Sequence, residues 1–202
     1  GDENIVKKLA SRIIASPDIY VSPEREPHRS INFITCHDGF TLNDIVSFNV
    51  KHNEANGENN NDGSNDNFSF NHGVEGFSNC HEIEELRMRQ IKNFISILLI
   101  SQGTPMLLMG DEIRRTQKGN NNCYCQDNEL SWFDWSLVER NKDLLRFTTN
   151  MIRFTLGLEL FKLDRILDTT GSTLEHSIKW HGVNLGCPDW ASWSHTLSFE
   201  LI

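Results

Sequence analysis

The chain has 202 residues, 38% of them hydrophobic, and a formal net charge of -9 at pH 7. That length accommodates one domain or one and a fraction, with enough apolar side chains to bury a core. The acidic balance argues against nucleic acid as a partner, because phosphate binding needs a basic surface. No apolar run approaches the roughly 18 or more residues of a membrane span, and the first residues carry no secretory pattern. Cys36, Cys80, Cys123, Cys125 and Cys187 make an odd count without the rhythm of a disulfide framework, which favours a reducing compartment over secretion. Cys123-Tyr124-Cys125 is too tight for a zinc knuckle and lacks a second pair at ligand spacing, so no metal or other cofactor is expected.

In chain order, the first element is a helix. Asp2 is placed as its cap, and Ile5, Val6, Leu9 and Ile13 form one apolar stripe. A strand over 30–36 follows, built on Ile31, Phe33 and Ile34 and ending abruptly in His37-Asp38-Gly39. A charged pair there is costly unless solvated, paired or working. In α/β folds the carboxyl ends of strands carry ligands and catalytic groups. Asp38 is therefore either a satisfied turn acid or a working one. A long polar loop leads to a helix from about His81 to Gln102, with Ile83, Leu86, Ile91, Phe94, Ile95, Leu98 and Leu99 at helical spacing and Gly103 and Pro105 as stops. A second apolar run, Met106–Met109, ends in Gly110-Asp111-Glu112. It repeats the pattern of a buried strand with acids at its end.

Another helix is predicted from about Ser136 to Leu156, opened by a capping box of Ser136 and Glu139. Its stripe is Leu144, Leu145, Thr148, Met151, Ile152 and Thr155. This β-loop-α-β-loop-α order implies a parallel sheet with both acid-bearing strand ends on one face. Near 160–170 the pattern changes: Ile178 and Trp180 alternate, then Leu197, Phe199 and Leu201, which reads as a separate antiparallel segment. The alternating pattern stops at Ile202 and the chain opens at Gly1 inside a helix signal, so it reads as a fragment of something larger.

Two loops stand out. Between Asn49 and Asn71 lie nine asparagines, interleaved with Gly57, Gly63, Asp62, Asp66, Glu54 and Glu58. A connection of this length is functional or disordered. Phe68, Phe70, His52 and His72 argue against a plain solvated linker. A calcium loop is a rival, but the window that puts Gly63 sixth ends at Ser69 without the closing Glu. The second loop, Gly119–Asn128, has the same flavour and leads into Trp132, Phe133 and Trp135. Amides beside indoles suit carbohydrate, whose apolar faces stack on rings while hydroxyls hydrogen-bond. The tryptophans could equally belong to a core.

These residues carry a resemblance. Asn32–Asp44, N-F-I-T-C-H-D-G-F-T-L-N-D, is similar to the fourth signature region of the α-amylase superfamily. K-H-N-E-A-N-G-E-N-N at 51–60, S-Q-G-T-P-M-L-L-M-G-D-E at 101–112 and G-N-N-N-C-Y-C-Q-D-N-E at 119–129 resemble the isoamylase-type glycogen and starch debranching enzymes within it. W-H-G-V at 180–183 and P-D-W at 188–190 look like the entry to that family's C-terminal β-domain. The resemblance implies an α/β fold, the C-terminal portion of a (β/α)8 TIM barrel followed by the start of an antiparallel β-sandwich. Strands seven (30–36) and eight (105–109) with their helices would occupy 1–165, and the sandwich 166–202.

The resemblance further implies a retaining glycoside hydrolase acting on α-1,6 branch linkages of glycogen, amylopectin or limit dextrin. Asp38 matches the transition-state-stabilising carboxylate, and His37 the histidine that binds the same sugar. Asn53, Asn56, Asn121, Asn122, Tyr124 and Asp127 would bind substrate. The family's nucleophile Asp and acid/base Glu lie on strands four and five, upstream of Gly1, so this segment alone would be inactive. Asp111 and Glu112 match neither role and are assigned to structure or the cleft rim. A cytoplasmic or plastid-stromal setting is implied, with no membrane or nucleic-acid partner. Two other readings stay open: a non-catalytic glucan-binding or regulatory subunit, and a related hydrolase that releases trehalose, which explains the Asn-rich loops less well. Fold alone does not separate them.

Overall fold

A computed structural model describes residues 2–20, 26–169 and 176–202, in two compact units: Gly1–Asn32 with Ile100–Pro105 and Phe154–Ile202, and Phe33–Leu99 with Met106–Arg153.

In the first unit, helix α1 (Ile5–Ile13) buries Val6, Ala10 and Ile13, while Ile5 stays exposed. The expected Asp2 cap is not formed. Asn4 occupies the cap position in a left-handed conformation without a side-chain cap bond, and its N–H donates to the Ser192 carbonyl at 2.8 Å. Strands β1 (Ile31–Asn32) and β2 (Thr104–Pro105) pair in parallel, with Ile31 opposite Thr104. Strands β3 (Ile178–His181) and β4 (Ser198–Leu201) pair antiparallel, and Trp180 faces Phe199. The alternation at 178–201 thus forms the antiparallel segment it predicts. Ile13, Ile14, Leu167 and Ile178 form the core, covered by Leu163, Leu197, Phe199 and Leu201.

Gln102 ties this unit together. Its backbone N–H donates to Ile13 O at 2.7 Å. Its side chain donates to Arg165 O at 2.7 Å and accepts from Leu167 N–H at 3.1 Å. Buried amides are stable only when both ends are matched, and here both are.

In the second unit, α2 (Leu42–Ile45) is capped by Thr41, whose hydroxyl accepts from Asp44 N–H at 3.2 Å. Helix α3 (His81–Leu99) begins with Glu82 and Glu84, acids that complement the positive end of its dipole. It ends at Leu99, three residues short of the predicted stop. The predicted 136–156 helix is two: α4 (Ser136–Arg140) and α5 (Lys142–Leu156), broken at Asn141, whose side chain donates to Ile113 O at 2.9 Å. The Ser136–Glu139 box does not form. Ser136 lies inside α4, its N–H donates to the Asp134 carboxylate, and Glu139 pairs with Lys142 instead. Leu42, Val46, Ile91, Ile95, Leu99 and Leu144 form the core.

The two predicted strands are shorter than their apolar runs, two paired residues each. Ile31, Phe33, Met106 and Met109 are exposed, contrary to the buried-strand expectation. An apolar strand is buried only between neighbours on both sides, and among the described residues β1 and β2 pair only with each other.

Ile95 is 1% exposed at the centre of the second core. Ile95→Ala should cost about 2–5 kcal/mol, read from the midpoint shift of denaturant unfolding; a loss under about 0.5 kcal/mol would contradict this packing.

Candidate active site on two interlocked loops

The chain leaves its apolar run at Ile34 and turns at residues 36–40. Gly39 takes φ +89°, a conformation that L side chains resist, and its N–H donates to Asn121 O at 2.9 Å. That turn thrusts His37 and Asp38 outward: their side chains are 88% and 77% exposed, with His37 Nε2 3.3 Å from Asp38 Oδ2. Asp38 is therefore not a buried turn acid. Its carboxylate stands open beside an imidazole at the end of the run.

Two other aspartates are the reverse, deeply buried and fully engaged. Asp111 accepts from the Thr35 hydroxyl and from Leu42 N–H, the latter at 2.9 Å, so it grips both feet of the turn. Asp44, 0% exposed, accepts from Thr116 Oγ1 at 2.5 Å and from Gln117 N–H at 2.8 Å, with Gly119 N–H at 3.4 Å. The first loop is thus held by an acid of the second, and the second by an acid of the first. Burial raises the pKa of Asp111 to about 6, with Glu112 pushing the same way; the Thr35 and Leu42 bonds and the Arg115 charge pull down without prevailing. Burial likewise raises Asp44 against its hydrogen bonds.

The asparagines complete the interlock. Asn53 and Asn121 are buried and exchange bonds: Asn53 Nδ2 donates to Asn121 Oδ1 at 2.8 Å, and Asn121 N–H to Asn53 Oδ1 at 3.0 Å. Their remaining amide protons go to Asp62 O, Ser64 O and Asn67 Oδ1. Asn56 donates to Asp62 Oδ2 and Asn122 O and accepts from Asn120 and Gln126. Asn122 Nδ2 donates to Asp62 Oδ2 at 3.0 Å. The Asn56 bond leads in holding the Asp62 carboxyl below its ordinary value. Lys51 lies buried, its ammonium donating to Asp62 O and Gly63 O.

The expectation that Asn53, Asn56 and Asn121 meet substrate is corrected: their donors and acceptors are spent inside the protein, so they frame the site. Tyr124, 75% exposed, and Asp127 remain on the surface, where Asp127 Oδ1 accepts from Trp132 Nε1 at 2.9 Å. Trp132 and Trp135 are exposed, so neither belongs to the core of the second unit. Burial pushes the Cys123 thiol up to about 11, which disfavours the thiolate.

Sequence reasoning missed Asp44, Lys51 and the clamping role of Asp111. The available signal was Thr41-x-x-Asp44, a helix-start pattern whose acid points inward instead of capping.

Comparisons with known proteins bear on the chain as a whole. No protein-family model matches the chain. In fold it resembles part of solved pullulanases: one from Anoxybacillus sp. LM18-11 complexed with maltotetraose (TM-score 0.55, 25% identity, 80% of this chain and 19% of that one). The apo pullulanase from Paenibacillus barengoltzii gives TM-score 0.58 at 22% identity, over 82% of this chain and 21% of that one. In sequence it is 52% identical over 168 residues to the glycogen operon protein GlgX homolog of Mycobacterium tuberculosis, covering 83% of this chain and 23% of that protein. It is 46% identical over 182 residues to isoamylase 3, chloroplastic, of Oryza sativa (90% and 22%), and 45% over 193 residues to the glycogen debranching enzyme of Erwinia tasmaniensis (96% and 29%).

The shared architecture is that of the α-amylase family, barrel with β-domain, of which this chain corresponds to a part. In sequence the chain is similar to proteins named as isoamylase and glycogen debranching enzyme, and it spans 22–29% of the length of the relatives just named.

Two measurements test the site. A Cβ on Gly63 would lie 2.3 Å from Asn121 Oδ1 and 2.7 Å from Asn53 Nδ2, at φ +69°. Gly63→Ala should therefore destabilise by about 1–3 kcal/mol in thermal or denaturant unfolding. For Asp111, the folded pKa near 6 lies above the ordinary 3.8, so ionisation disfavours the fold. Stability should fall as pH rises from about 4 through 6, and Asp111→Asn should flatten that slope in unfolding curves taken across the window. An unchanged slope would show that Asp111 ionises freely.

Proposed function

We propose that this chain forms part of an enzyme that hydrolyses α-1,6-glucosidic branch linkages in glycogen or starch with retention of configuration. The observation that carries the reading is the exposed His37–Asp38 pair, raised on a turn whose feet, Thr35 and Leu42, are buried and bonded to Asp111. Displaying an exposed carboxyl group on a firmly bonded support is what transition-state stabilisation requires, since fixed charge need not reorganise as the reaction proceeds.

On this reading, Asp38 grips hydroxyls of the sugar being cleaved and stabilises the positive charge developing at its anomeric centre. His37 hydrogen-bonds the same sugar. The nucleophilic carboxylate and the acid/base that a retaining mechanism needs come from earlier strands of the barrel. Residues 1–165 would supply its last part, and 166–202 the opening of the β-domain. Tyr124, Trp132 and Asn122 at the rim would contact the glucan, rings stacking on apolar sugar faces. Relatives named for glycogen debranching and a pullulanase solved with maltotetraose support an α-glucan as the substrate, in glycogen, amylopectin or a limit dextrin. The setting would be a bacterial cytoplasm or, as for the chloroplastic relative, a plastid stroma. Among the described residues no helix is long and apolar enough to cross a membrane.

In the full-length enzyme, Asp38→Asn should lower branch hydrolysis by about 10²-fold or more while the circular dichroism spectrum is retained, measured as reducing ends released from amylopectin. Near-normal turnover would overturn the role given to Asp38. The 202-residue chain alone should release none above background; release at an enzyme-like rate would overturn the division of carboxylates among strands.

A further inference from the structure

We infer that Asp111 is a positioning residue for catalysis, fixing the reach of Asp38 by bonding both feet of the turn that carries it. The inference rests on the role proposed for Asp38. Thr35 and Leu42 flank the exposed pair, two residues before His37 and four after Asp38. They lie 76 and 69 residues from Asp111 in sequence, yet both bond the same carboxylate, one oxygen each. Thr35, Leu42 and Asp111 are 5%, 1% and 2% exposed, so water cannot replace these bonds. A third anchor, Gly39 N–H on Asn121 O, holds the crest of the turn to the same second loop.

The chemistry of the clamp argues for geometry over stability. A pair of neutral groups would close the loop at lower cost, because a buried carboxylate pays a desolvation penalty that its two bonds and Arg115 only partly offset. What the carboxylate alone supplies is two acceptors at a fixed separation, able to take a hydroxyl and a backbone N–H together. Loss of one acceptor frees one foot. The turn then pivots on the other foot and the Asn121 bond, and Asp38 is displaced without loss of the core. Misplacement of a catalytic group by about 1 Å costs on the order of 10²-fold in rate.

The groups facing Asp111 are Thr35 and the Leu42 amide from the first loop, with Glu112 and Arg115 from its own. The reciprocal acid, Asp44, holds residues 116–119 and serves as the control, being equally buried but bonded to the other loop.

The test is kinetic, on the full-length enzyme with a branched limit dextrin as substrate. Asp111→Asn keeps the volume but offers one acceptor oxygen. Thr35→Val removes one hydroxyl at constant shape, and Thr35→Ser restores it. Asp111→Asn and Thr35→Val should each lower kcat by about 10–100-fold with KM within about twofold, and Thr35→Ser should stay within about threefold of wild type. Combined with Asp38→Asn, Asp111→Asn should cost little more, since a residue that acts through Asp38 has nothing left to position.

Multiplicative losses in the double variant would overturn the inference and mark Asp111 as structural. So would an unchanged kcat in Asp111→Asn where Asp38→Asn is inactive, or equal losses in Thr35→Ser and Thr35→Val. If Asp111→Asn does not fold, the Thr35 pair decides by the same criteria. An active Asp38→Asn enzyme would instead overturn the role of Asp38, and the positioning inference with it.

Discussion

Two buried carboxylates, each rooted in one loop and bonded to the other, are the constraint on which the candidate site depends. Asp111 reaches back to Thr35 and Leu42, and Asp44 reaches forward to Thr116 and Gln117. Neither loop has enough apolar surface to order itself, since Phe68, Phe70, Tyr124 and Trp132 point outward. Polar pairing in a dry interior substitutes for a core, and it is worth most where water is excluded and every partner is matched. The same dryness raises the cost of the charges, which is why both acids are surrounded by donors and both still hold raised pKa values.

Beside this clasp, side-chain amides carry many of the bonds between the two loops. Asn53 and Asn121 saturate each other across 68 residues of sequence, and Asn56 gathers Asp62, Asn120, Asn122 and Gln126. Asparagine suits the task because one short side chain both donates and accepts without carrying charge. Gly63 must be glycine for the loops to close, as its backbone passes against Asn53 and Asn121. A composition that resembles solvated linker therefore builds one of the most tightly bonded parts of the second unit. His37, Asp38, Tyr124 and the exposed tryptophans Trp132 and Trp135 stand outside it.

The candidate residues were legible in the sequence more fully than their support. A histidine–aspartate pair after a short apolar run, followed by glycine, identified His37 and Asp38 as candidates, and the structure displays both on the surface. The asparagines drew attention for the right composition and the wrong reason: sugar-binding and loop-bonding asparagines have identical side chains, and only their orientation separates them. Lys51 gave no signal, and Asp44 only that of a helix start, because burial of a charge depends on which distant backbone groups converge on it. Among the elements, α3 and the β3–β4 pair followed their apolar periods. The Ser136–Glu139 pattern promised a cap that Asp134 provides instead, and the two strands kept only the residues that pair with each other.

What the sequence determined by itself was local: periodicity, turn residues, charge, and the motif strings that relate the chain to the debranching enzymes. Those follow from interactions spanning a few residues or from shared ancestry. Tertiary structure decided which polar side chains face inward. Thr35, Leu42 and Asp111 become one feature only when segments about 70 residues apart are brought into contact, and hydrogen bonds of that range leave no periodic trace in the chain.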